Sequence, residues 1–369
     1  MPLSQSMESD RAFVAETEAQ ILELATQISA LERSVSLLRK TQQAAKTRLD
    51  SYTYPVLTLP LEIISEIFLH YLPPYPTPPP LTGSLSPIRL THICRQWREM
   101  VIATPVFWRA IDLSDRPIRL KDVASLAALW LGRTGGCSLS IDAIDWKPIT
   151  SALIPHRSRW EHMRLHRLQD WPRIFEESFP TPLLQTLLLL PTSPTSLPIP
   201  REIPLALIDV PCLRTVELSM PGGPYPSLPW QQLTSLNFRS IFLPDCVHIL
   251  RQTPSLITLR CYIRYKHEDS PPPSGIALLQ LNSLYFSCDF VHRHESYLNL
   301  FIVPALRVLD VSEAVLSTTP IPALQTFITT SSCTLKKLRI SEAEGSRKTY
   351  EQAFPDIPDI TVIPGDESN

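Results

Sequence analysis

The stretch LNSLYF, residues 281 to 286, decides the fold of most of this chain. Apolar residues stand at its first, fourth and sixth positions, so its second half alternates between two faces. Such alternation favours a β-strand with one buried side. The same spacing returns at LRVLDV, residues 306 to 311, which starts 25 residues later. A strand that recurs at a nearly regular interval predicts a sheet built from stacked repeats.

The spacing L-x-x-L-x-L occurs eight times between residues 137 and 343, with starting points 20 to 29 residues apart. These starting points are Trp160, Leu184, Leu213, Leu233, Leu256, Leu281, Leu306 and Leu335. Proline stands two residues before four of them and favours a turn there. The pattern resembles leucine-rich repeats, whose period covers the same range. The resemblance implies a solenoid with a parallel sheet, and we expect a degenerate repeat domain over residues 120–343, with an irregular first repeat at residues 137–144.

The residues between the apolar strand positions face away from the core in this interpretation. They are polar in most repeats, although Leu188 and Val308 are exceptions. Repeat proteins use a face of this kind to bind partners, so we predict target binding on this concave face. The candidate residues are Arg164, Glu217, Asn237, Arg260, Tyr285, Asp310 and Arg339. A solvated face without a ligand is the alternative, and residues 344–369 are interpreted as a polar tail.

A second apolar pattern lies upstream, in LPLEIISEIFLHYL, residues 59 to 72. Pro60 suits the first position of a helix, where its missing N–H is not needed. The prolines of PPYPTPPPLTGSLSP, residues 73–87, then interrupt the pattern, which resumes in ICRQWREMV and TPVFWRAI. We interpret the proline-rich segment as an extended surface loop that joins two helices of one small unit.

The ordered blocks LPLEIISEIF, RLTHICRQWREMV and TPVFWRAI resemble the F-box of large fungal protein families. The resemblance covers residues 58–111 and departs from the family pattern in the long segment 73–87. It implies docking on the Skp-type adaptor of a cullin ubiquitin ligase. The matching contact residues are Leu59, Pro60, Glu62, Ile63, Ile67, Phe68, Trp97 and Val101. Core positions are expected instead for Ile64, Ile93, Cys94 and Trp108.

Residues 14–50 carry apolar side chains at alternating steps of three and four residues. Counted from Val14, position a is mostly Val or Ile and position d is mostly Leu, which favours a parallel two-stranded coiled coil. The flanking e and g positions are weakly charged, so they specify no particular partner. The pattern allows self-association through residues 14–49, pairing with a partner, or a helix that packs on its own domain or stays free. We predict a disordered segment over residues 1–13.

The chain has 369 residues and a net charge of −2, which argues against nucleic-acid or membrane-surface binding. Seven scattered cysteines without a C-x-x-C pair argue against a zinc site or disulfide framework and favour a cytoplasmic or nuclear location. The chain contains no phosphate loop, G-x-S-x-G or H-E-x-x-H motif, and no apolar run long enough for a membrane helix. We therefore expect no catalytic residues, metal or cofactor.

The expected fold class is α/β, with a coiled-coil helix, a helical F-box and a repeat solenoid in that order. The expected function is the one that the resemblance implies, a substrate-recognition subunit of a Skp-cullin-F-box ubiquitin ligase. In that function the F-box docks on the adaptor, and the repeats bind a protein target of unknown identity. A repeat protein that serves as an interaction scaffold outside a ligase is the alternative.

Overall fold

The structure is a computed structural model that describes residues 2–51, 55–114, 120–144, 149–168, 180–191, 209–219, 225–264, 275–288 and 296–365. The chain divides into two units, residues 1–64 and residues 65–369. The boundary falls within the second helix.

The first unit is dominated by one helix, α1, over Pro2–Asp50. Its 49 residues correspond to a length of roughly 70 Å. The helix is uninterrupted because its only proline stands at the first position, where no N–H is needed. The predicted disorder of residues 1–13 is therefore wrong for residues 2–13, which are helical. A single 3-10 turn, Pro55–Thr58, precedes the second helix, α2, over Leu61–Tyr71.

Two short helices, α3 over Pro87–Thr91 and α4 over Arg95–Ala103, follow the proline-rich segment. The hydroxyl of Ser86 accepts a hydrogen bond from the backbone N–H of Ile88 at 3.3 Å and caps α3. The indole N–H of the buried Trp108 donates to the carbonyl of Val101 at 2.8 Å, which fixes the chain after α4. The later helices of the described residues are α5 Leu120–Gly132, α6 Thr150–Leu153, α7 Leu243–Leu250, α8 Pro320–Ser331 and α9 Arg347–Ala353.

Within the described residues, eleven strands form one parallel sheet in which spatial neighbours follow the chain order. Its strands are β1 Ala110–Leu113, β2 Leu139–Ile144, β3 Trp160–Leu168, β4 Thr186–Pro191, β5 Thr215–Ser219, β6 Ser235–Phe242, β7 Thr258–Arg264, β9 Ser283–Cys288, β11 Val308–Ser312, β12 Lys337–Ala343 and β13 Asp359–Pro364. Two further strands, β8 Ile276–Ala277 and β10 Phe301–Ile302, pair in parallel with each other in a separate small sheet. The prediction of a mixed α/β protein with a long N-terminal helix and a large parallel sheet is confirmed.

The repeated apolar positions form the core of the sheet. The three apolar residues of each of the eight repeats are buried, none of them more than 6% exposed. A tight turn precedes each of the four repeats that carry a proline before their starting point, as the prolines predicted. In one example, Pro182 follows Thr181, whose carbonyl accepts a 3.1 Å hydrogen bond from the N–H of Leu184. The fixed φ of proline suits the second position of such a turn.

Two strands extend the sheet beyond the predicted repeats. Strand β1 begins the sheet, although its first residues, up to Ile111, belong to the segment 58–111 that resembles an F-box. Strand β13 ends it by pairing with β12, so the interpretation of residues 344–369 as a polar tail is wrong over the described part. Helix α9 supports this end, because the buried Tyr350 donates a 2.9 Å hydrogen bond to Glu313.

Candidate functional site

Helix α2 leaves a row of large apolar side chains in water. Ile63, Ile67 and Tyr71 are 50%, 49% and 38% exposed and recur every four residues. Residues four apart lie on one side of a helix. We name these three residues the exposed α2 face. Contiguous apolar surface of this kind is typical of a protein-interaction site rather than of scattered surface residues.

The residues predicted to contact an adaptor divide into two groups. Leu59, Pro60 and Glu62 are exposed, in agreement with a surface role, as are the two isoleucines of the exposed α2 face. Phe68 and Val101 are 4% and 0% exposed, so their prediction as surface contacts is wrong. They belong to the core of the helical unit, since neither can reach a partner without unfolding it.

Trp97 belongs to neither group, because its side chain is half-buried. Its ring meets the Phe68 ring edge-on, with 4.7 Å between the centroids. Ile64 and Trp108 are buried as predicted, whereas Ile93 is 56% exposed and was wrongly predicted in the core. Ile93 falls after α3 ends and before α4 begins, so the helical periodicity that predicted its burial does not hold there.

The sheet places the predicted target-binding residues side by side. The strand register pairs them in one continuous row from β3 to β12, and Leu188 fills the single position between Arg164 and Glu217. We name this set the polar row: Arg164, Glu217, Asn237, Arg260, Tyr285, Asp310 and Arg339. The sequence analysis therefore identified residues that form one row on the sheet, although the first and the last of them are 175 positions apart in the chain.

Ion pairs hold most charges of the polar row in place. Arg164 lies 3.9 Å from Asp142, and Arg339 lies 3.7 Å from Asp310. Glu217 pairs with Arg239, which stands two residues after Asn237 in β6 and was missed by the sequence analysis. Each cation is about half exposed. Their carboxylate partners are only 15–23% exposed. Since the cations are half in water, we expect these pairs to contribute modestly to stability and mainly to orient the side chains of the polar row.

Arg260 differs from the other cations of the polar row. Its guanidinium carbon lies 3.8 Å from the centroid of the Tyr285 ring, within the range of a cation–π contact. The two side chains line a surface depression of about 280 Å³, together with residues of the neighbouring strands such as Asn237, Arg239 and Asp310. Burial raises the pKa of Asp310, although Arg339, Arg260 and Lys337 oppose this shift. The depression therefore combines an aromatic face, two guanidinium groups and a carboxylate.

The proline-rich segment contacts the beginning of the same sheet. The hydroxyl of Tyr75 donates a 2.6 Å hydrogen bond to Glu161, and the guanidinium carbon of Arg109 lies 3.9 Å from the centroid of its ring. The next residue also takes part, because the hydroxyl of Ser140 donates to the carbonyl of Pro76 at 2.6 Å. The segment was predicted as a surface loop between two helices, and the structure adds this attachment to β2 and β3.

The attachment covers the polar side of the first strands. The Tyr75 ring meets the ring of His162 edge-on, with 5.5 Å between the centroids. His162 and Arg164 are two residues apart in β3 and so share one face. The proline-rich segment consequently occupies the start of the face that carries the polar row, and the depression lies on strands β6, β7, β9, β11 and β12. No local sequence pattern predicts a contact between residues 86 positions apart.

Two pKa shifts reflect this attachment. Burial and the hydrogen bond to Glu161 raise the pKa of Tyr75. For Glu161, burial alone would raise the pKa, but hydrogen bonds from Ser138 and Tyr75 lower it overall. The carboxylate is therefore the stable form beside the tyrosine hydroxyl at neutral pH.

Comparison with known proteins gives no family assignment. No protein-family model matches the chain, and no curated protein matches it significantly. Within the described residues, no group of three or more histidine, cysteine or acidic side chains could hold a metal ion. None of the described helices has both the length and the apolar character that a bilayer crossing requires.

Proposed function

We propose that this protein is a substrate receptor of a Skp-cullin-F-box ubiquitin ligase, with the sheet as a leucine-rich-repeat solenoid. In this proposal the helical unit docks on the Skp-type adaptor and the polar row holds a protein target. The receptor performs no bond chemistry of its own. It raises the effective concentration of target lysines near a ubiquitin carrier that the cullin brings to the complex.

The exposed α2 face is the observation that carries the adaptor half of the proposal. Ile63 and Ile67 are half exposed although they belong to a strongly apolar helix. Such side chains supply the few apolar anchors that dominate binding energy at a protein interface. Leu59 and Pro60, which directly precede the first residue of α2, are also exposed and extend this surface beyond the N-terminus of the helix. The buried Phe68 supports the face from within rather than touching the adaptor.

The attachment of the proline-rich segment supports the receptor function further. A receptor must hold its target in a defined position relative to the adaptor. The contacts of Tyr75 with Glu161 and Arg109 join the segment after α2 to the first strands of the sheet. We infer that this segment limits rotation between the helices α3 and α4 and the polar row.

Binding of the full chain to a purified Skp-type adaptor tests the adaptor half directly. The double variant Leu59→Ala with Pro60→Ala should lose about 2–4 kcal/mol of binding free energy, the magnitude of a hot spot. Ile63→Ala with Ile67→Ala should weaken binding by at least about tenfold. Leu129→Ala is the matched control, because Leu129 is a 50% exposed leucine on α5. All these side chains are exposed, so melting temperatures should stay close to that of the wild type.

Unchanged adaptor affinity in the folded double variants would reject this docking mode. Failure of the wild type to bind any Skp-type adaptor would reject the ligase function itself. The second candidate, an interaction scaffold outside a ligase, would then remain, because the polar row and its depression exist independently of α2. Target capture by the full chain should depend on Arg260 and Tyr285 in both cases, with Lys336→Ala as the exposed control outside the polar row.

A further inference from the structure

The apolar stripe of α1 has a large exposed surface. Its members are the large apolar residues at the a and d positions of the heptad pattern, and each is between 45% and 72% exposed. We name them the α1 stripe: Val14, Ile21, Leu24, Ile28, Leu31, Val35, Leu38 and Leu49. They follow one side of the helix over roughly 50 Å. An apolar surface of this extent is typical of an interaction site.

The composition of the α1 stripe fits a second copy of the same helix. In a parallel pair each a residue meets its own equivalent, as does each d residue, so the stripe is complementary to itself. Isoleucine or valine at a and leucine at d are the choices that favour two strands. Thr17 is the polar exception at d, and its hydroxyl already donates to the carbonyl of Phe13 at 2.9 Å. Its burial would therefore leave no unpaired donor.

The residues beside the stripe permit this pairing. In a parallel coiled coil each g residue lies near the e residue five positions later in the partner helix. The g positions Gln20, Gln27, Ser34 and Thr41 are uncharged, so none of these contacts joins two like charges. Gln42 is the polar residue at an a position, and a single polar a residue specifies register.

The size of the contact also suits a dimer. A strip about 50 Å long and about 10 Å wide covers about 500 Å² of each helix. The pair then buries about 1,000 Å² in total, which is about the minimum expected of a biological interface. The pairing helices need no rearrangement, because α1 is already continuous from Pro2 to Asp50.

We propose that α1 forms a parallel, two-stranded coiled coil with α1 of a second copy of this chain. The inference does not depend on the proposed ligase function. If both hold, each assembly carries two adaptor-binding helices and two polar rows. Two weak target contacts could then act together through their shared effective concentration.

Paired leucine substitutions in the full chain test the dimer by sedimentation. Leu24→Lys with Leu31→Lys places two charges at d positions and should raise the dimer dissociation constant by more than about 100-fold. Leu22→Lys with Leu37→Lys makes the same chemical change at the outward positions b and c. All four leucines are between 56% and 71% exposed in the single chain. A monomeric wild type, or equal effects of both double variants, would overturn the proposal.

Cysteine cross-linking tests the orientation. Gln42→Cys brings the two thiols together at an a position, so mild oxidation should yield a covalent dimer. Gln43→Cys, at the outward position b, should not, and the wild type controls for the native cysteines. In an antiparallel pair the two Gln42→Cys thiols would lie far apart. A dimer that does not cross-link through position 42 would therefore overturn the parallel arrangement.

The charge distribution of α1 gives an independent test of orientation. Up to Glu32 the helix carries six carboxylates and one arginine, whereas residues 33–50 carry five cations and one carboxylate. A parallel pair places like blocks side by side, so moderate salt should strengthen the dimer by screening their repulsion. An antiparallel pair places opposite blocks together, and salt would weaken it. A dimer weakened by salt would contradict the parallel arrangement.

Discussion

The hydroxyl of Tyr75 lies 2.6 Å from Oε2 of Glu161 and joins the proline-rich segment to the third strand of the sheet. Tyr75→Phe removes this hydrogen bond but keeps the ring against Arg109 and His162. We expect the free energy of unfolding to fall by about 1 kcal/mol, the usual net value of one hydrogen bond. Urea denaturation measures the change, and a double-mutant cycle with Glu161→Gln isolates the pair. Additive effects of the two substitutions would show that the bond does not form.

The contributions of Glu161 and Asp310 to the free energy of unfolding should change in opposite directions as the pH falls below about 6. The pKa of Glu161 is lowered in the folded chain, so its contribution is present above the unfolded value of 4.5 and is lost as pH falls through the folded pKa. The pKa of Asp310 is raised above 3.8, so stability is gained as pH falls through its folded pKa. Urea denaturation of Glu161→Gln and Asp310→Asn between about pH 3 and about pH 6 compares them. If both substitutions changed the pH dependence of the free energy of unfolding in the same direction, these assignments would be contradicted.

The repeated strands could be predicted from the sequence because the spacing of apolar residues within each repeat indicates which side chains are buried. The spacing in LNSLYF fixes which residues enter the core and, by alternation, which lie in the polar row. The strand register follows as well, since residues at the same position in successive repeats pair with each other across neighbouring strands. The same spacing is present in WRAIDL and IPDITV, which form β1 and β13. Neither strand was predicted, because β1 begins in the segment that resembles an F-box and β13 lies beyond the predicted repeat domain of residues 120–343.

The contacts of Tyr75 could not be predicted in this way. They join residues 86 positions apart in a segment without periodicity, so only the folded chain brings them together. The mistaken surface contacts Phe68 and Val101 have another cause. Helical periodicity shows that a residue is on the apolar side of a helix, but it does not show whether that side meets the chain's own core or a partner. Burial decides this, and both residues are in the core.

Neighbouring residues in one turn should differ sharply in their effect on stability. Leu256 begins a repeat and is 0% exposed, whereas Ile257 beside it is 45% exposed. Leu256→Ala should lower the free energy of unfolding by about 2–5 kcal/mol, because it leaves a cavity in the core that packs against the sheet. Ile257→Ala should change it by less than about 1 kcal/mol. Urea denaturation of both variants checks the repeat register, and comparable losses would contradict it.

Removal of residues 344–369 should destabilise the sheet rather than leave it unchanged. Strand β13 pairs with β12, so truncation after Ala343 exposes a new sheet edge beside the fully buried Leu338. Open edges of this kind promote association between chains. We expect a lower melting temperature and aggregation that increases with protein concentration, measured by light scattering during a thermal ramp. A truncated chain that melts like the full chain would support the interpretation of this segment as a polar tail.

Point substitutions in the full chain test the contribution of packing at this end of the sheet without shortening the chain. Tyr350 is buried and donates a 2.9 Å hydrogen bond to Glu313, whereas Lys348 on the same helix is exposed. Tyr350→Ala should lower the free energy of unfolding by about 3 kcal/mol, as expected for a buried aromatic residue. Lys348→Ala should have little effect, because its side chain is in water. Equal stabilities of the two variants in urea denaturation would mean that α9 does not support the last two strands.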